Sequence, residues 1–186
     1  MSAWWDSMAG TVSAEFSDVP DLEQFTRIVL RLAIAALLGG LLGLEREHKG
    51  KAAGVRTHML VSMGAAMFVL AAQQAGISAG DNSRVLQGII AGVGFLGAGT
   101  ILKGDAENQV KGLTTAAGIW LTAAIGVAAG LGLETTAVLA TGLALVIFWA
   151  VPLVQTLFDR PAARRAQTVP STPDRSRDRS DDEAPY

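Results

Sequence analysis

The chain has 186 residues, of which 50% are hydrophobic and 17% charged, with a formal net charge of -2 and a mean hydropathy of +0.36. With no cysteine it forms no disulfide, offers no thiol nucleophile and holds no Cys-ligated metal; with only His48 and His58 it is also a poor host for a His-rich zinc site. The net charge says little about partners, because the charge is distributed unevenly. The apolar residues come in long runs rather than at amphipathic spacing, the mark of a membrane protein, and no nucleic-acid partner is expected.

Residues 1–24 read as a polar or interfacial segment. They have no basic start and no continuous apolar stretch, and they carry Asp6, Glu15, Asp18, Asp21 and Glu23, so they do not fit a cleaved signal peptide. Trp4 and Trp5 are candidate interfacial anchors. Asp18, Pro20 and Asp21 together mark a helix start, with a cap and a proline in the first turn.

A membrane domain over 25–158 follows, with spans expected at about 28–44, 59–77, 85–102, 112–133 and 136–157. The shortest covers ~26 Å at ~1.5 Å per residue, enough for a hydrocarbon core of ~30 Å if the ends snorkel. The expected fold is therefore all-α: a polytopic membrane protein, a bundle of about five transmembrane helices rich in small residues. The first span contains Arg31 and ends in the small-residue pair Gly39 and Gly43, followed at once by Glu45, Arg46 and Glu47. The second opens on Gly54, Val55, Arg56, Thr57 and His58, where Gly54 permits a sharp entry and Thr57 is a candidate cap. Glu45 is expected to pair with Arg56 across the intervening loop, Glu47 to meet headgroups, and His58 to be a boundary residue or a pH-sensitive group.

The third span carries Gly88, Gly92, Gly94, Gly97 and Gly99. At 100° per residue Gly88, Gly92 and Gly99 share a face within about 40° while Gly97 lies opposite, so this helix is expected to be the central one, and Leu at Gly92 or Gly97 to be destabilising. Thr115, Gly118, Thr122 and Gly126 form a small-residue stripe on the fourth span, where hydroxyls bond either a neighbour or their own backbone. The fourth and fifth spans share a tight turn at 132–134 and so form an antiparallel hairpin. No carboxylate lies mid-membrane, which counts against a proton-coupled pump, and no catalytic set appears, so no enzyme is expected. The carboxylates that could meet a hard divalent cation are Glu45, Glu47, Asp105 and Glu107, without a defined ligand set; no cofactor is implied beyond a candidate Mg²⁺. Residues 159–186 hold six arginines, six acids and four of the six prolines, and are expected to be a disordered tail. Lys and Arg cluster between spans one and two, between three and four, and in the tail, which places the N-terminus outside and the C-terminus in the cytoplasm.

Four separated motifs, Gly43-Leu44-Glu45-Arg46-Glu47, Gly54-Val55-Arg56-Thr57-His58, Gly92-Val93-Gly94-Phe95-Leu96-Gly97-Ala98-Gly99 and Val110-Lys111-Gly112-Leu113-Thr114-Thr115-Ala116-Ala117, resemble the MgtC/SapB family over roughly 28–132. The resemblance implies a multi-pass protein of the bacterial inner membrane with about five helices. It implies a link to growth at low magnesium, and action as a regulator on another membrane complex, the ATP synthase, rather than as a magnesium transporter; a Mg²⁺ or other cation channel is the alternative. A membrane-protein partner or a homo-oligomer in the bilayer is expected on either reading. Longer members carry an ACT-like cytoplasmic domain after the last helix, and the tail here is too short and too polar to form one.

Overall fold

The computed structural model describes residues 2–17, 19, 21–103 and 110–166. Among them are six helices: α1 (Ser2–Glu15), α2 (Leu22–His48), α3 (Val55–Gln74), α4 (Ala79–Ala98), α5 (Leu113–Leu131) and α6 (Glu134–Ala166). Between α4 and α5 the chain makes a two-residue antiparallel ribbon, β1 (Leu102–Lys103) with β2 (Val110–Lys111), in which Leu102 pairs with Lys111. Two compact units result, Met1–Phe148 and Trp149–Tyr186. The helical bundle belongs to the first.

Two helices begin where the sequence supplies a side-chain cap. Asp21 Oδ1 accepts from the Gln24 N–H at 2.6 Å and starts α2, six residues before the expected span. Ser78 Oγ accepts from the Asp81 N–H and starts α4, drawing Asp81, Asn82, Ser83 and Arg84 into the helix. The third span therefore shifts from 85–102 to 79–98, with its C-cap at Gly99. At the far end, α6 continues to Ala166, into the segment expected to be disordered from 159; residues 167–186 lie outside the described ones.

By length and composition α2, α3, α5 and Glu134–Val154 of α6 can each cross a bilayer. α4 is not among them. Its apolar part, 85–98, is only ~21 Å long at ~1.5 Å per residue, because the polar first turn consumes the rest. It nonetheless runs antiparallel along α5, with Gly97 against Ala116 at one end and Leu86 near Val127 at the other.

The centre of the bundle is α3, not α4, because two glycine pairs at i, i+4 clamp it. On α2, a Cβ at Gly39 would stand 2.6 Å from the His58 carbonyl oxygen and one at Gly43 2.6 Å from Val55 Cα. On α5, a Cβ at Gly126 would overlap the Ser62 carbonyl oxygen and one at Gly130 would stand 2.7 Å from that of Ala66. Without an apolar driving force between helices in lipid, such backbone approach is what holds them together. Around these contacts lie Ala35, Leu42, Ala66, Ile125 and Ala129 on one side and Val69, Ile89, Ile119 and Ala123 on the other, all buried.

Most glycines of α4 have no such role. Side chains at Gly88, Gly92 or Gly94 would meet nothing within 4 Å, and Gly99 approaches only carbonyls of its own helix. Only Gly97 packs against a neighbour, with Ala116 3.5 Å from where its Cβ would lie. The expectation that α4 is central is thus overturned. Helical periodicity showed which residues share a face; it did not show which face meets protein.

At the end of the bundle away from the ribbon, Arg31 ties four helices. Its Nη1 donates to Gln73 Oε1 at 3.1 Å and to the Gly130 carbonyl at 3.0 Å, and its Nε lies 3.8 Å from Glu134 Oε1. The guanidinium fits because the α5–α6 turn passes through Gly132 at φ +81, where any Cβ would run into Arg31. Gly132→Ala is expected to cost at least ~1–2 kcal/mol from the left-handed backbone alone and to lower the melting temperature in detergent. Leu139→Ala, on the exposed face of α6, should leave it unchanged.

Candidate functional site: a buried cationic core

At the opposite end of the bundle, the sequence places its most polar residues where α2 ends and α3 begins. α2 reaches His48 before the chain turns back, so Arg46 falls in its last helical turn and points into the bundle, 3% exposed. Its guanidinium lies 4.5 Å from the centroid of the Phe148 ring on α6, a cation–π contact, and its Nη1 is 3.4 Å from Glu45 Oε2. Glu45 is therefore the partner of Arg46. The expected pairing with Arg56 is not formed; Arg56 is exposed and makes no ion pair among the described residues.

Glu47 does not simply meet headgroups. Its Oε2 accepts from the Val55 N–H at 2.9 Å, and its carboxylate lies against Gly54, whose missing side chain makes room for it. This carboxylate satisfies a free amide at the positive start of α3, the task expected of Thr57, which stays exposed. Glu47→Ala is expected to cost ~1 kcal/mol and to speed amide exchange at the first turn of α3, whereas Glu47→Gln should retain most of the bond.

His58 is completely buried, not a boundary residue. Its Nδ1 lies 2.9 Å from the Gly54 carbonyl; donation there leaves Nε2 as an acceptor, facing the notch left by Gly118. The edge of Phe148 faces the same notch. One turn along α3, Ser62 is also fully buried. Within the described chain Arg46 Nε and Nη2, His58 Nε2 and Ser62 Oγ have no hydrogen-bond partner. On α5 the buried stripe Thr115, Gly118, Thr122 and Gly126 faces this core, and the Thr122 hydroxyl returns to its own helix at the Gly118 carbonyl, 2.8 Å away.

Structure thus gathers Glu45, Arg46, His58, Thr115, Gly118 and Thr122, and adds Ser62 and Phe148, which sequence reasoning missed. The spacing of Ser62 from His58, one helical turn, is a signal that was there to use. Phe148 sits in a uniformly apolar run and carries none. Asp105 and Glu107 lie outside the described residues. Among the described residues no three His, Cys, Asp or Glu side chains come together to hold a metal ion. Chemically this is a buried polar core in which the Arg46 cation lies against Glu45, with hydrogen-bond donors left on Arg46 and one imidazole acceptor on His58; it offers partners to anionic or neutral polar groups and no free carboxylate to a cation.

An all-α bundle with four helices long and apolar enough to cross a bilayer among the described residues defines a polytopic membrane protein. The chain belongs to the MgtC family, whose model matches residues 32–157. It is 40% identical over 160 residues to Protein SrpB of Synechococcus elongatus, covering 75% of this chain and 86% of that one. It is 45% identical over 143 residues to Protein MgtC of Brucella abortus (75% and 58% covered), and 45% identical over 116 residues to the putative magnesium transporter YhiD of Escherichia coli (56% and 51% covered). The chain thus spans little more than half the length of the MgtC and YhiD relatives. No solved structure matches it.

Proposed function

We propose that this protein is a non-enzymatic regulator in bacterial magnesium homeostasis that acts by docking a helix of another membrane protein. The observation that carries this reading is the groove between α3 and α4. It encloses about 650 Å³ and is lined by Gly64, Gly88 and Gly92, with Leu60, Phe68 and Leu96 along its sides. All three glycines face open space, so an incoming helix could approach to backbone contact, the geometry that small residues provide in membranes. The ATP synthase, implied by the family resemblance, is the first complex to examine.

Ion conduction fits less well. Among the described residues the buried arginine is Arg46, which lies against Glu45, and the half-buried Arg31 lies against Glu134, so neither end offers a divalent ion a free buried carboxylate. Glu45 is engaged by Arg46, and Glu47 by the start of α3. The name of the YhiD relative favours the transport reading and makes it the one to test against. On the regulator reading the Arg46 end, with Lys49, Lys51, Arg56, Lys103 and Lys111, faces the cytoplasm of the inner membrane, and the N-terminus lies outside.

Because the chain has no cysteine, a single one at Gly88 or Gly92 reports on the groove without background. Thiol crosslinking in native membranes should capture another membrane protein at these positions but not at exposed Leu139 on α6. Purified protein in liposomes should pass no Mg²⁺ above protein-free vesicles. A protein-dependent Mg²⁺ flux would overturn the proposal; crosslinks only to a second copy would replace the partner by a homo-oligomer.

A further inference from the structure

We infer that α1 is an in-plane helix that lies in the interface of the same bilayer, held by apolar insertion and not by charge. Its residues Trp4, Trp5, Met8 and Val12 fall within an arc of about 100° at 100° per residue, and all four are exposed. Asp6, Ser7 and Ser13 occupy the other side. The two indoles stand edge to face with centroids 4.5 Å apart, forming one aromatic block at the head of the face, and Phe16, 81% exposed, extends it past the helix end. Glu15, in the last turn, is the one charged residue on that side.

The occupant follows from the chain itself. The six residues from Phe16 to Asp21 can span at most ~20 Å, so α1 cannot leave the neighbourhood of the point where α2 enters the membrane. That point is marked by the Asp21 cap and the Glu23–Arg27 ion pair, and from there on α2 presents Phe25, Val29 and Leu30 outward. An exposed apolar face headed by paired tryptophans and tethered at that level matches the headgroup–acyl boundary, where indole rings place an apolar body beside a hydrated N–H. Charge sets the lipid class. No Lys or Arg precedes Arg27, while Asp6, Glu15, Asp18, Asp21 and Glu23 are all acidic, so anionic headgroups repel this segment. α1 should therefore seat on zwitterionic lipid and be weakened, not strengthened, by anionic lipid.

The test uses the full chain with Trp120→Phe and Trp149→Phe, which leaves Trp4 and Trp5 as the only tryptophans. In phosphatidylcholine vesicles loaded with iodide on both sides, iodide quenching should fall severalfold below that of free tryptophan amide. Lipids brominated near the headgroup end of the acyl chain should quench more strongly than lipids brominated near its terminus. Adding Met8→Asp and Val12→Asp should restore iodide access, whereas Ser13→Asp should not. Mixing in phosphatidylglycerol should raise quenching by acrylamide, an uncharged quencher that the anionic surface does not exclude. Iodide quenching equal to that of free tryptophan amide would overturn the inference. So would iodide protection without bromolipid quenching, because the face would then be covered by protein. Increased protection from acrylamide in phosphatidylglycerol would overturn the charge argument.

Discussion

Gly126→Ala should destabilise the bundle by ~1–3 kcal/mol, and Gly126→Leu by more, because the new Cβ would enter the space of the Ser62 carbonyl oxygen. That oxygen is backbone, in the middle of α3, and cannot rotate away. Relief requires α3 and α5 to separate, which would break the neighbouring contact of Gly130 with Ala66 and uncover Ile125 and Ala129. The matched control is Gly92→Ala on α4, where the added methyl meets nothing and helix propensity alone contributes up to ~1 kcal/mol in its favour. Thermal denaturation in detergent should therefore lower the midpoint for Gly126→Ala and leave it unchanged or raised for Gly92→Ala. A reversed order would remove α3 from the centre of the fold.

The second large effect is expected at Glu45, and it is asymmetric. Glu45→Gln leaves the Arg46 cation buried without its counter-charge, a defect worth ~3–5 kcal/mol. Arg46→Met removes the buried charge itself and keeps apolar contact with Phe148. It forfeits the cation–π contact, ~1–2 kcal/mol, while the partly exposed Glu45 carboxylate can turn to water. Combining the two should therefore be no worse than Arg46→Met alone, giving a strongly non-additive cycle when stability is measured by thermal or denaturant unfolding. If Glu45→Gln proved harmless while Arg46→Met unfolded the protein, Arg46 would be held by something other than Glu45. Substituting Arg56 should do little, since it is exposed and unpaired among the described residues.

The apolar runs and the helical class were legible in the sequence because a bilayer demands contiguous apolar length, and length is written directly in residue order. Helix ends were less so: Ser78 and Asp81 form their cap inside a polar stretch that read as a loop, which moved α4 by six residues. The glycines divide instructively. Gly39, Gly43 and Gly126 read as small-residue faces and do meet α3, but the same argument applied to Gly88 and Gly92 placed them in an interior they do not reach. Gly130, four residues after Gly126, could have been found from spacing alone. At the charged end, the sequence brought the right residues into view and the wrong pairs. Glu45, Arg46 and Glu47 are consecutive, so each faces a different direction on the helix; assigning partners required knowing that α6 brings Phe148 to Arg46 and that the loop brings the Val55 amide to Glu47.

Arg31 and Arg46 are fifteen residues apart on one helix, and neither side chain is free to reach outward, since Gln73 and Gly130 hold the first while Glu45 and Phe148 hold the second. Fifteen residues of α-helix measure ~22 Å, against ~30 Å for an ordinary hydrocarbon core. Sliding α2 by a turn in either direction would push one guanidinium toward the midplane, so the helix is pinned in depth from both ends. The expected consequence is that lipid accommodates the protein: acyl chains beside α2 should be compressed, and the molecule should favour thin, short-chain regions of its membrane over thick ones.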